Sequence, residues 1–552
     1  MRKPHQRCHG ATALLVTVLV LVASGCNDRR ESTSASTDAA ARATPKLPDP
    51  GLAETSIVEL QARMARGELD SLTLVRAYLD RIAAIDDAGP MLNAVIELNP
   101  DALRDAEGLD AERRDGKLRG PLHGIPVLLK DNIDALPMAN SAGSLALAGH
   151  RPADDAFLVA RLRDAGAVIL GKTNLSEWAN FRSSRSISGW SARGGQTRNP
   201  HVLDRSPCGS SSGTGAAIAA SLASAGVGTE TNGSILCPAS VNGVVGIKPT
   251  VGLVSRDGII PIAHSQDTAG PMARSVADAA ALLQAMAAVD DADDASTANP
   301  VRAPVDYLAG LDPDALRGAR IGVLREHGVA PQPDVEAAFD HALEALKALG
   351  AELVDARIET DGQWRKAGFE VLLYEFRHGL DAYLAASGAP VRSLDELIAY
   401  NRAHTDREMP LFGQELFEQA QAKGPLTDKA YRDARDEARR LAKTEGIDAT
   451  LARQRLDALV VPTAGPAWPI DPVNGDHFTG AGYGVAAVAG TPSITVPMGE
   501  AHGLPLGIAF LGPAWSEAKL VGYAYAFEQA TRARRSPRFL PTVPLPAHAV
   551  SE

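Results

Sequence analysis

Residues 209–249 read GSSSGTGAAIAASLASAGVGTETNGSILCPASVNGVVGIKP: a serine-rich loop, a run of small residues with helical character, and a second serine-bearing loop. A helix almost free of bulk, expected over GTGAAIAASLASAG, lets its backbone come close to a sheet and points its N-terminus, with its partial positive charge, toward the serines. Working outward, an upstream candidate for chemistry is a lone lysine, Lys130, which closes the apolar run GIPVLLK (124–130). That run reads as a buried strand. Two serines and one lysine can form a hydrolytic site without histidine, because a hydroxyl becomes a competent nucleophile once a neighbouring base takes its proton.

The flanking elements alternate as in an α/β sheet. SIVELQARMARGE (56–68) carries an apolar face at helical spacing, and Ser71 is positioned to cap LTLVRAYLDRIAAID. A helix (DAFLVARLRDAG) and a strand (AVILGKTN) follow. Further short apolar strands are expected at GVVGIKP, RIGVLRE, DALVVPT, PSITVPM and LGIAFLG. Between about residues 363 and 455 the chain turns helical and charged, which reads as an inserted helical layer or cap. The acidic DDADDAS near residue 293 reads as a solvated loop.

Composition narrows the function classes. With 552 residues, 45% hydrophobic and 22% charged, the chain is long enough for a large core and ordinary in polarity. Its formal charge is -12, and cleavage of a leader carrying Arg2, Lys3 and Arg7 takes it to -15, a balance that repels phosphate backbones. Nucleic acid is therefore not an expected partner. Residues 1–25 have the form of a signal peptide: a basic start, an apolar run from Ala11 to Ala23 too short to span a bilayer, and small residues before Cys26. The ending ASGC resembles a lipoprotein cleavage site, with Cys26 lipidated as a membrane tether. Residues 26–50 are polar and without periodicity, as in a disordered tether. The expected destination is the periplasm or the outer membrane, leaving 51–548 as a single domain. Once Cys8 and Cys26 are set aside, Cys208 and Cys237 flank the serine loops, either as buried thiols or as a bridge between them.

Two other patterns match known motifs in letters only. GAVILGKT (166–173) fits a phosphate-binding loop, but its middle residues are strand formers that follow a helix, so Gly171 and Lys172 read as a strand end. GSSSG (209–213) fits a nucleophile elbow around Ser211, yet RNPHVLDRSPC before it has little strand character. No metal-ligand spacing is present, and no cofactor is expected.

The run from Pro207 to Thr250, with LKDN at 129–132, resembles the amidase signature family, and SGWSARGGQTRNP and KPTVGLVSRDGIIPI are most similar to its bacterial peptide amidases. The resemblance implies a mixed central β-sheet sandwiched between layers of α-helices and a Ser, cis-Ser, Lys triad. By position Ser234 would be the nucleophile, Ser210 the bridging serine following Gly209 through a cis peptide bond, and Lys130 the base. The backbone N–H groups of Thr231, Asn232 and Gly233 would form the oxyanion hole. Relatives usually carry glycine or aspartate where this chain has Asn232, a residue that tolerates unusual backbone angles. Ser211 is expected to hold a hydrogen bond near the lysine, and His123, His264 and Asp267 to serve as framework. For Lys130 to act near neutrality its pKa must fall roughly three units from about 10.4, or about 4 kcal/mol, with burial as the cause. The implied activity is hydrolysis of carboxamides, foremost C-terminal amides of peptides, to acid and ammonia through an acyl-enzyme, with no obligate protein partner. A glutaminase-type amidotransferase subunit, a lipid-amide hydrolase and a non-catalytic amide-binding lipoprotein are the alternatives.

Overall fold

A computed structural model describes residues 51–301 and 303–544. The expected signal peptide (1–25), the expected tether (26–50) and the expected lipidation at Cys26 lie outside the described residues. The strands are β1 (Val95–Leu98), β2 (Pro126–Lys130), β3 (Val168–Thr173), β4 (Trp190–Ser191), β5 (Gly195–Gln196), β6 (Ala225–Glu230), β7 (Val245–Lys248), β8 (Thr268–Ala273), β9 (Arg320–Val323), β10 (Glu352–Asp355), β11 (Ala458–Pro462), β12 (Ser493–Ala501) and β13 (Leu504–Leu511). Eleven of them form one mixed sheet in the order β1-β3-β2-β6-β8-β7-β12-β13-β11-β9-β10, and β4 pairs with β5 apart from it. Strands β3, β2 and β6 run parallel, whereas β6–β8 and β12–β13 are antiparallel.

Every position of β2, β3, β6, β8 and β13 is buried. Strands buried at every position have both faces covered, and helices supply that cover. The small residues of the helix Ser212–Ala219 serve this purpose at the centre. A Cβ on Gly213 would lie 2.2 Å from the carbonyl oxygen of Ala94 and 2.5 Å from that of Asn174, so the helix seats where only glycine fits.

Several sequence expectations need correction. The small-residue helix stops at Ala219 rather than running to Gly226, and Ser221 takes a left-handed conformation (φ 54) that turns the chain into β6. AGVGTE, whose first two residues the expected helix included, is instead the central strand β6: between two helix layers small side chains are what such a strand accommodates. Strands β1, β8 and β10 escape notice for related reasons: they are short or rich in Gly, Pro and Ala. The second helix is capped by Asp70, whose side chain accepts from the Thr73 N–H at 2.7 Å, one residue ahead of Ser71. The acidic run near 293 is no solvated loop: Asp293 is buried and accepts from Nε and the backbone N–H of Arg256, while Asp290 accepts from Ser255 Oγ at 2.6 Å. A basic partner 37 residues away in sequence decides this for Asp293, and spacing alone does not reveal it. GAVILGKT contributes β3, and Lys172 is a wholly buried lysine that donates to the carbonyls of Ile133 (2.6 Å) and Ala139 (3.2 Å).

Residues 365–454 include the helices Arg365–Ala386, Leu394–Ala403, Glu415–Gln421 and Lys429–Arg439. They have an aromatic and aliphatic core with the segment after β3, in which Phe376 stacks on Phe417 (5.3 Å between ring centres) and Trp178 meets Phe417 edge-on. The helix Arg365–Ala386 is thereby held over the C-terminal ends of β2 and β6, where Tyr383 Oη donates to Asp134 Oδ1 at 2.7 Å. None of the described helices is long and apolar enough to cross a membrane.

Candidate active site

Strands β2 and β6 are parallel neighbours with Leu129 opposite Val227, so their carboxyl ends bring Lys130 beside Thr229. Such strand ends are where open α/β sheets place their chemistry. Lys130 is fully buried, and its Nζ lies 2.7 Å from Ser210 Oγ, 2.9 Å from Thr229 Oγ1 and 3.2 Å from the Thr229 carbonyl oxygen. Burial pulls its pKa from 10.5 down to about 7, against the opposing pull of the carboxyl groups of Glu230 and Asp267. An uncharged amine has two hydrogens and one lone pair. The two oxygens of Thr229 take the hydrogens, which leaves the lone pair for the Ser210 hydroxyl.

Ser210 follows Gly209 through a cis peptide bond. Its carbonyl accepts from the Ser176 N–H at 3.1 Å, and Ser176 Oγ in turn accepts from the Gly189 N–H at 2.9 Å. Ser211 has the hydrogen-bonding place expected of it: Oγ donates to the Thr229 carbonyl (3.1 Å) and accepts from the Thr229 N–H (3.2 Å). The Ser211 N–H donates to the Ser234 carbonyl at 3.1 Å, which sets the two serine loops against each other. Cys208 and Cys237 are joined by a disulfide (Cα–Cα 6.0 Å), so of the two alternatives for this pair the bridge is the one formed.

Ser234 opens the turn into the helix Leu236–Val241. Glu230 Oε2 accepts from the N–H groups of Ile235 (2.7 Å) and Leu236 (3.0 Å), which fixes the chain just after the serine. On the other side Thr231 Oγ1 donates to Asp267 Oδ1 at 2.5 Å, and Asp267 also accepts from the N–H groups of Ile262 and Ala263, both at 2.8 Å. Burial raises the Asp267 pKa to about 6 in spite of these bonds. The left-handed residue of the turn is Gly233 (φ +86), where an added Cβ would sit 2.2 Å from the Tyr483 ring. Asn232 has no positive φ, so the turn does not depend on the tolerance for unusual backbone angles expected of it. Among the described residues, none accepts from the N–H groups of Asn232, Gly233 or Ser234, which leaves these donors available to a ligand.

Two cavities meet at Ser234. One, of about 460 Å³, is lined by Ser210, Thr229, Thr231 and Asp267 and reaches Arg256, His264 and Tyr383. The other, of about 290 Å³, is lined by Gly209, Asn232, Tyr483, Trp468 and Phe478. Of the expected framework residues, His123 is buried with Nε2 2.9 Å from the Leu109 carbonyl oxygen, away from both cavities. His264 and Asp267 line the larger one. Thr229, Glu230 and Asn132 are site residues that the sequence reading passes over. Their proximity to TNGS and LKDN is the one available signal. Among the described residues, no group of three or more His, Cys, Asp or Glu is arranged to hold a metal ion.

The family model described as Amidase matches residues 73–521. The chain belongs to the amidase signature family. As an amidase it is similar to the native peptide amidase of Stenotrophomonas maltophilia, at 62% identity and a TM-score of 0.87 over 89% of this chain and all of that one. An amidase family protein of Bacillus anthracis matches at 35% identity and a TM-score of 0.79, covering 88% of this chain and 93% of that one. The "Probable amidase" of Arabidopsis thaliana is 41% identical over 499 residues, 88% of this amidase and 92% of its relative. The enzyme is a hydrolase of amide C–N bonds, with the mixed sheet and flanking helices of the family.

Proposed function

We propose that this amidase hydrolyses the C-terminal carboxamide of peptides, with Ser234 as nucleophile, Ser210 as proton relay and Lys130 as base. The observation that carries the reading is the 2.7 Å contact between a fully buried Lys130 Nζ and Ser210 Oγ, on a serine that shares its cavity with Ser234. The uncharged amine takes the Ser210 proton as Ser210 takes that of Ser234, and the freed Ser234 Oγ attacks the amide carbon. The N–H groups of Thr231, Asn232 and Gly233 are the proposed donors to the negative charge that develops on oxygen, those of Asn232 and Gly233 having no acceptor among the described residues. Return of the proton through Ser210 releases ammonia, and water repeats the sequence on the acyl-enzyme. The peptide amide as substrate is supported by the 62% identity to a peptide amidase. An ammonia-release assay over amidated dipeptides, glutamine and fatty acid amides tests it, with the peptide amides expected to give the highest kcat/KM. Glutamine as the preferred substrate would instead favour the amidotransferase-subunit reading, which subunits such as that of Geobacter metallireducens suggest at 37% identity.

Because Lys130 works uncharged, and burial holds its pKa at about 7, kcat/KM is expected to rise about tenfold per pH unit below 7 and to level off above it. A profile flat from pH 5 to 9 would contradict the role given to Lys130.

We infer that the enzyme is exported. The support is the leader at 1–25 and the Cys208–Cys237 bridge, which suits an oxidising compartment. Fractionation of cells producing the wild type and Cys26→Ala tests both export and tethering, and recovery of both proteins in the cytoplasm would refute it.

A further inference from the structure

We infer that the two cavities divide an α-amino acyl group between them: the smaller takes the side chain of the C-terminal residue, and the larger takes the chain that precedes it. This deepens the peptide-amide reading and rests on it. The geometric basis is a junction. Only Ala179, Thr231, Ser234 and Ile262 line both spaces, so an acyl carbon held on Ser234 Oγ sits at a fork. An α-amino acyl group branches at its Cα, with a side chain in one direction and a backbone nitrogen in the other. A fatty acyl group has no such branch and would leave one arm of the fork empty.

The walls decide which branch goes where. The smaller cavity is faced with Phe181, Trp468, Phe478 and Tyr483, and Trp468 and Phe478 meet edge-to-face with ring centres 5.5 Å apart. Its carboxylate, Asp476, is already occupied: it accepts from Trp468 Nε1 at 2.9 Å and from the Ser188 N–H at 3.1 Å. Four aromatic rings and a satisfied carboxylate suit a single apolar or aromatic side chain, and Asn180 Oδ1, buried in the same lining with no partner among the described residues, can accept from a hydroxyl such as that of tyrosine. The larger cavity contains the proton relay at Ser210, where the departing amide nitrogen must be protonated to leave as ammonia. It also extends past Ile259 and Ile260 to polar groups around Arg256, the length that a continuing chain requires.

Leu372 lines the smaller space and Ala382 the larger, both on the helix Arg365–Ala386 and neither in the proposed proton path. Leu372→Trp is expected to lower kcat/KM at least tenfold for dipeptide amides ending in Phe or Tyr, while those ending in Gly change less than threefold. Leu372→Ala, which enlarges the same space, is expected to shift preference toward C-terminal Trp, so the proposal stays testable if the bulky variant folds poorly. Ala382→Trp is expected to penalise dipeptide amides at least tenfold relative to single amino-acid amides, without altering the preference among C-terminal side chains. Equal losses for Gly- and Phe-terminated substrates in Leu372→Trp, or a changed side-chain preference in Ala382→Trp, would overturn the division. A wild type inert toward every peptide amide but active on other amides would instead defeat the peptide-amide reading, so the two failures are distinguishable.

Discussion

Exchange of Ser234 for alanine is expected to lower kcat for a peptide amide on the order of 10⁶-fold, with the fold unchanged. Only the hydroxyl is lost, and this Oγ makes no hydrogen bond that the surrounding turn depends on. The turn is held by other groups: Glu230 by its bonds to Ile235 and Leu236, Asp267 by its bond to Thr231, and the disulfide one turn on at Cys237. What remains after the exchange is the contribution of the backbone donors and of substrate positioning. A variant that retains even a hundredth of wild-type turnover, checked by ammonia release on protein with native circular dichroism, would remove Ser234 from the nucleophile's role. Covalent labelling by a serine-directed phosphonate should likewise fall on Ser234 in the wild type and disappear in the variant.

Lys130→Met separates catalysis from stability. Methionine fills nearly the same volume, so no cavity opens between β2 and β6. Turnover is expected to fall about 10²- to 10⁴-fold, the range that a positioned general base supplies. Stability should change little. The substitution leaves the Thr229 oxygens without the lysine N–H groups, a cost of about 1–3 kcal/mol, but it also relieves the desolvation that holds the lysine pKa at about 7. The decisive comparison is the pH profile: the residual activity of Lys130→Met should no longer rise through pH 7. If the rise persists, some other group titrates, and Asp267, raised to about 6, is the next to test by Asp267→Asn.

Much of the fold is legible along the chain where side chains carry the signal. GIPVLLK, DALVVPT, PSITVPM and LGIAFLG are dense in β-branched and leucine residues, and each is a strand in the sheet. AGVGTE and TAGPMA are equally central but made mostly of small residues, and periodicity carries little information when the requirement is the absence of bulk. The same limit applies at the site. Lys130, Ser210 and Ser234 stand out because their flanks, LKDN, CGSSSG and TETNGS, are distinctive. Thr229, Glu230 and Asn132 lie in those same flanks yet carry no signal of their own, because such a residue becomes part of a site only through the strand or loop that the sheet order brings beside it.

What the sequence by itself determined is the chemistry: two serines and a lysine in recognisable loops, a helix too small to do anything but pack closely, and a pair of cysteines beside the serines. What only the tertiary structure decided is the state of those groups. Parallel pairing of β2 with β6 encloses Lys130 away from water and supplies Thr229 as acceptor for its hydrogens, which makes a normally charged amine usable as a base. The helix Arg365–Ala386, more than a hundred residues downstream of both serines, contributes walls to two cavities that meet at Ser234. Burial and enclosure are properties of the space between elements, and no single segment of the chain contains them.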